Sequence, residues 1–186
     1  MDVFTETMHS WASFYILVGT AAATLAGLMF VALSLGMNVM TDITKETFDL
    51  FVTPSILYFG TALVLAAVML VPTFTPMGLA LTLLLFGVIG FWITVAYVRA
   101  IIALGKRAGD FHWSDWVAEV VLPLISYPLI LAAALSFALS REGIAFSILA
   151  FAPITLLLSG IGNTWTVVMA IIGRHTENQN RQPPAA

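Results

Sequence analysis

No Asp, Glu, Lys, Arg or His occurs between His9 and Asp42, between Asp49 and Arg99, between Glu119 and Arg141, or between Glu142 and Arg174. Each gap is at least as long as the roughly 20 residues that an α-helix needs to cross the hydrocarbon of a bilayer. A chain built this way has lipid, not water, as the solvent that decides its fold. Composition agrees: 60% of the 186 residues are hydrophobic and 9% are charged, whereas ordinary soluble domains carry about a quarter charged residues.

In hydrocarbon an unbonded backbone amide has no water to turn to, so only helices and closed barrels span it. Strands of a membrane barrel alternate apolar and polar residues over about ten positions, and none of these runs does. The sequence therefore predicts an all-α, polytopic membrane bundle of five transmembrane helices, at about 14–37, 50–71, 77–98, 116–139 and 144–173. Pro72 and Pro76 close the second span and open the third, because proline cannot continue a helix. The fifth run is longer than a bilayer is thick, so it must tilt, bend or emerge, with Pro153 as the candidate bend. Residues 1–174 form one bundle, and the polar tail 175–186, with Pro183 and Pro184 near its end, is expected to be disordered. No Lys or Arg precedes the first apolar run, so the basic region of a signal peptide is missing and the first helix is expected to be retained.

Basic residues set the orientation. With the N-terminus outside, Lys45, Arg99, Lys106, Arg107, Arg174 and Arg181 are cytoplasmic and only Arg141 is external, which is the bias that cytoplasmic loops show. The C-terminus is then cytoplasmic. Trp11 and Tyr15 fall at the outer boundary, and Tyr97, Trp113 and Trp116 at the inner one, as interfacial anchors.

Much chemistry is excluded. There is no cysteine, hence no disulfide, thiolate or cysteine-bound cluster. The formal net charge of −3 offers nothing to nucleic acid. No ionisable residue lies in the middle of any run, although proton relays, ion-coupled carriers and voltage sensors use such groups there. An intramembrane hydrolase would equally need a base at that depth. His9 and His175 lie in flanking segments, so no pair of helical histidines holds a haem. Gly87 and Gly90 form no nucleotide loop, and no cofactor is implied.

Three sets of residues remain as candidates. Gly19, Ala23 and Gly27 are spaced four apart in the first span and give it a small-residue face, with Ala22 and Ala26 beside it. Such faces let helices approach closely, within a chain or between chains. Thr20 and Thr24, continuing toward Ser34 and Asn38, form a weakly polar stripe on the first span. Thr155, Ser159 and Asn163, with Thr166, form a second stripe on the fifth. Hydroxyls in membrane helices often bond back to a carbonyl four residues earlier or hold helices together. The alternative is that the stripes face each other or line a narrow, uncharged, hydrated path, with Asn163 as its most polar constriction. The third set is cytoplasmic. Asp42, Glu46 and Asp49 share a face before the second span. His112, Asp115 and Glu119, near Asp110, follow at spacings of three and four. One histidine with carboxylates is a weak metal-binding pattern, and acids also favour helix N-termini, where Ser114 or Asp115 is a natural cap.

The stretch Phe14–Leu35, FYILVGTAAATLAGLMFVALSL, resembles the first span of small polytopic membrane proteins of unknown function found in bacteria. The resemblance implies a bacterial cytoplasmic membrane and a bundle of several helices, and says nothing of activity.

The sequence thus predicts a noncatalytic integral membrane protein, an accessory subunit or modulator of a membrane complex. Its partners are the lipid bilayer and either another membrane protein or further copies of itself. The alternative is a passive homo-oligomeric pore or facilitator lined by a Thr/Ser/Asn stripe, and an interfacial enzyme built on His112 comes third.

Overall fold

The computed structural model describes residues 3–39, 45–108 and 117–181, with side chains over 3–34, 54–99 and 120–166 and at Val117, Val168 and Met169. Among these the uncharged runs have become helices: α1 (Val3–Val39), α2 (Lys45–Met69), α3 (Pro76–Ala108), α4 (Leu122–Ala138) and α5 (Glu142–Arg181). A π-helical turn, Val117–Val121, leads into α4. Proline at 123 removes the donor that the Glu119 carbonyl would use four residues on, and a turn bonded five residues on is the local way round that loss.

Three stretches are long and apolar enough to cross a membrane: Val3–Ser34 of α1, Pro76–Arg99 of α3 and Glu142–Thr166 of α5. Pro54–Met69 of α2 and Leu122–Ala138 of α4 are also apolar but shorter. The molecule is an all-α membrane helix bundle.

The connections follow from local chemistry. Between α2 and α3, Thr75 caps α3: its Oγ1 accepts the Gly78 N–H at 3.1 Å, and Pro76 starts the helix where its missing N–H costs nothing. Between α4 and α5, Ser140 adopts a φ of 57°. The Ser140 N–H bonds Phe137 O at 3.0 Å and the Arg141 N–H bonds Ser136 O at 2.9 Å, the paired closure that ends a helix with a left-handed residue.

Around the bundle, α3 packs on α4, α4 on α5, α5 on α2 and α2 on α1, while α1 also touches α5. Half of the α5 span is buried, against 22% for α1, so α5 is the axis and α1 the most lipid-facing helix. Leu65, Leu79, Leu83, Ile130, Leu149 and Leu156 fill the core. At the end that holds the N-terminus an aromatic cluster replaces them. Phe137 meets Phe146 edge to face at 5.1 Å, Phe4 lies 6.2 Å from Phe137, and Trp11 stacks on Phe146 at 6.3 Å.

Several boundaries differ from the sequence reading. α1 begins well before Phe14, because Phe4, Met8, Tyr15, Val18 and Ala22 continue one buried stripe at helical spacing. Tyr15, expected as a boundary anchor, is 1% exposed and belongs to the core. α5 runs on through 175–181, the first part of the segment read as a disordered tail. Between Arg174 and Pro183 there is no Gly or Pro to interrupt the helix, and the residue before a proline resists helix. Residues 182–186 lie outside the described residues.

Close approach depends on glycine at Gly87, against the Leu131 side chain, and most tightly at two further places. A Cβ on Gly90 would lie 2.0 Å from the Tyr127 ring, and one on Gly160 would lie 2.5 Å from the Phe59 ring. Gly27 has nothing within 4 Å of that position. Replacing Gly90 with Ala should therefore cost about 1–3 kcal/mol by overpacking, seen as a lower melting temperature in detergent, while Gly27→Ala leaves it unchanged.

Candidate functional site

The uncharged spans still contain hydroxyls and, at Asn163, a carboxamide, and hydrocarbon forces such groups to find partners. In α5 the side chains of Thr155, Ser159 and Asn163 follow each other at intervals of four, so they line about 12 Å of one helix face at 1.5 Å per residue. Ser159 and Asn163 are fully buried. Two neighbouring helices complete the row. From α2, Ser55 is also fully buried, and the Asn163 Nδ2 donates to its Oγ at 2.7 Å. From α4, the Ser126 Oγ lies 2.7 Å from the Thr155 Oγ1.

The same layer extends to α3. The Tyr127 hydroxyl is 3.4 Å from Thr61 Oγ1 of α2 and lies beside Thr94 of α3, whose side chain is buried. Four helices, α2 to α5, thus contribute buried polar groups, spread along the bundle from the Ser126–Thr155 pair to the Ser55–Asn163 pair eight residues further along α5. Glycines let them do so: Gly160 admits Phe59, drawing α5 against α2, and Gly90 admits the Tyr127 ring, drawing α4 against α3. The layer carries no formal charge. Among the described residues, the Asp, Glu, Lys, Arg and His side chains, Glu6, His9, Arg99, Arg141 and Glu142, lie toward the ends of the spans.

The layer is closed in this conformation, since Ser55, Ser159 and Asn163 have no exposed surface. Beside it runs an open apolar groove of about 190 Å³ between α1, α2 and α5, lined by Leu25, Leu28, Phe59, Thr164 and Trp165 among others. Thr164 joins the two regions: its Oγ1 donates to Gly160 O at 2.7 Å and lies 3.4 Å from Ser55 Oγ.

The α1 candidates sit elsewhere. Thr20 and Thr24 are exposed on the outside of the bundle, and the Thr24 hydroxyl donates back to Thr20 O at 2.8 Å. The two polar stripes therefore do not face each other within one chain. Gly19 packs toward α2, where Ala66 Cβ would lie 3.3 Å from an added Cβ, and Ala22 is fully buried. Ala23 and Gly27 face outward. Asp42, Asp110, His112, Asp115, Trp113 and Trp116 lie outside the described residues. So do the side chains of Glu46, Asp49 and Glu119.

Sequence reasoning missed Ser55, Thr61, Thr94, Ser126 and Tyr127. A signal existed for some of them: Ser55 follows Pro54, while Ser126 and Tyr127 lie between Pro123 and Pro128. Polar side chains beside a proline in an apolar run often compensate for lost backbone bonds.

The Ser55–Asn163 bond should be measurable as coupling. A double-mutant cycle of Ser55→Ala and Asn163→Ala, read by unfolding in mixed detergent, is expected to give about 0.6 kcal/mol, the average for hydrogen bonds between membrane helices, and no more than about 1.7.

No family model matches this chain, and no curated protein or solved structure is significantly similar to it. Its own geometry defines it as a membrane helix bundle with a buried Ser/Thr/Asn network.

Proposed function

We propose that the chain is a passive facilitator of a bacterial cytoplasmic membrane, crossing it five times with the N-terminus outside, and that the polar layer lines its path. One observation carries this reading. Four helices contribute buried hydroxyl and amide groups to one stretch of the bundle, from the Ser126–Thr155 pair to the Ser55–Asn163 pair, and no Asp, Glu, Lys, Arg or His of the described spans lies among them. A row of neutral polar groups lowers the cost of carrying a neutral polar solute through hydrocarbon, yet offers no site for coupling to protons or ions. The path runs within one chain between α2, α4 and α5, and the closed layer must open for a solute to pass. Tyr127, held against Gly90, is the bulky element beside it.

A second reading, an accessory subunit or modulator bound to another membrane protein or to further copies of itself, draws on the outer face of α1. There Ala23 and Gly27 stand exposed and nothing lies within 4 Å of a Cβ on Gly27, the kind of surface on which helices associate closely.

Reconstitution separates the two. Purified protein in vesicles should accelerate the shrinkage and reswelling that follow an osmotic step with a small neutral solute. Asn163→Leu should abolish most of that flux with the oligomeric state unchanged. Vesicles no faster than empty ones for water and every neutral solute tried would sink the facilitator. Loss of a copurifying partner on Gly27→Leu would then establish the accessory role.

Orientation can be tested directly because the chain has no native cysteine. A membrane-impermeant maleimide should label Thr73→Cys in intact cells, and Gln179→Cys only after permeabilisation. The reverse pattern would invert the topology.

A further inference from the structure

Three hydroxyls of the polar layer keep hydrogen-bonding capacity that the fold does not use. Others in the layer reach back along their own helix: Ser126 to Leu122 O at 2.8 Å, Thr155 to Phe151 O at 3.0 Å and Thr164 to Gly160 O at 2.7 Å. Thr61 of α2 and Thr94 of α3 are buried and make no such bond. The Thr61 Oγ1 meets the Tyr127 hydroxyl of α4 at 3.4 Å, well beyond the roughly 2.8 Å of a firm O–H···O bond. The Thr94 Oγ1 lies beside the same phenol and completes no hydrogen bond among the described residues. Gly90, one turn before Thr94 on α3, lets the phenol ring sit between the two threonines.

Each of the three hydroxyls has one hydrogen to donate, and its oxygen also accepts. Thr61 and Thr94 meet only through Tyr127, so at most two of the three hydrogens can be spent within the group. At least one O–H is left over inside a bundle that lipid surrounds, where an unspent donor is costly. Valine at position 94 would fill nearly the same space without that cost.

We propose that the Thr61, Thr94 and Tyr127 hydroxyls form a binding site, between α2, α3 and α4, for a small neutral molecule that both accepts and donates hydrogen bonds. This rests on the facilitator reading and names where its passenger is held. The spare hydrogen goes to an oxygen of the guest, and the hydroxyl oxygens accept from the guest's own hydrogens. Little is broken to admit it, because the Thr61–Tyr127 contact is long and no main-chain carbonyl loses a partner. Water and urea both have this chemistry. An ion would find no opposite charge in the site, and an apolar solute would leave the O–H unspent.

The test places wild-type, Thr94→Val, Thr94→Ser and Thr61→Val proteins in vesicles and applies an osmotic step with urea, so that shrinkage reads water and reswelling reads urea. Each Val variant should slow the protein-dependent passage about fivefold, the worth of one hydrogen bond, while Thr94→Ser, which keeps the hydroxyl, preserves it. Thr94→Val should melt no lower than the wild type, since the hydroxyl it removes bonds nothing in the fold. Slowing confined to reswelling identifies urea as the guest, and slowing of shrinkage as well identifies water. A lower melting temperature for Thr94→Val would show its hydroxyl spent within the fold and overturn the site. Val variants as fast as the wild type also overturn the site and leave the facilitator standing. Wild-type vesicles no faster than empty ones overturn both.

Discussion

A carbonyl that loses its N–H partner inside hydrocarbon has no solvent to bond, and the rest of this structure is arranged around that constraint. Proline occurs within α2 at Pro54, within α4 at Pro128 and within α5 at Pro153, and Pro123 stands at the start of α4. Each removes a donor from its helix. The hydroxyls of the polar layer stand beside these breaks. Ser126 reaches back to Leu122 O, and Thr155 to Phe151 O and Ala152 O. The prolines and the hydroxyls are thus neighbours along the same helices, although the carbonyls that Pro123, Pro128 and Pro153 leave without a donor, those of Glu119, Leu124 and Leu149, are not the ones these hydroxyls reach.

Bringing those oxygens together depends on helix spacing more than on the strength of any one bond. Hydrogen bonds between membrane helices average about 0.6 kcal/mol, too little to force helices together against poor packing. Contact made through Gly160 and Gly90 does the positioning, and the bonds then fix which residues face one another. Thr20 and Thr24 illustrate the contrast. They have the same chemistry as Thr155, but α1 turns them outward, and a hydroxyl bonded to its own helix commits it to no neighbour.

The helical architecture could be read from the chain because charge is excluded from the spans so completely that lipid is the only solvent compatible with them. The polar face of α5 was legible too, since Thr155, Ser159 and Asn163 repeat at helical spacing. Their partners were not. Ser55, Thr61, Thr94 and Ser126 are single polar residues in apolar runs, with no periodicity to mark them, and only the tertiary fold decides that they meet. The extent of α1 was missed for a different reason. Glu6 and His9 made the N-terminal segment look like flanking chain, whereas Phe4 and Met8 bury a stripe on its other side. An amphipathic beginning to an apolar helix is easily mistaken for its boundary.

The left-handed turn at Ser140 bears on the order in which the molecule is assembled. Only Leu139, Ser140 and Arg141 separate α4 from α5, so the Phe137–Phe146 contact and the Ser126–Thr155 bond, whose residues are 29 apart in sequence, close within one helical hairpin. The Asn163–Ser55 bond joins residues 108 apart and must await the docking of α2 on that hairpin. Local contacts form faster than distant ones. One half of the polar layer is therefore built as soon as the last two helices leave the ribosome and enter the bilayer, and the other half is the latch that closes the bundle.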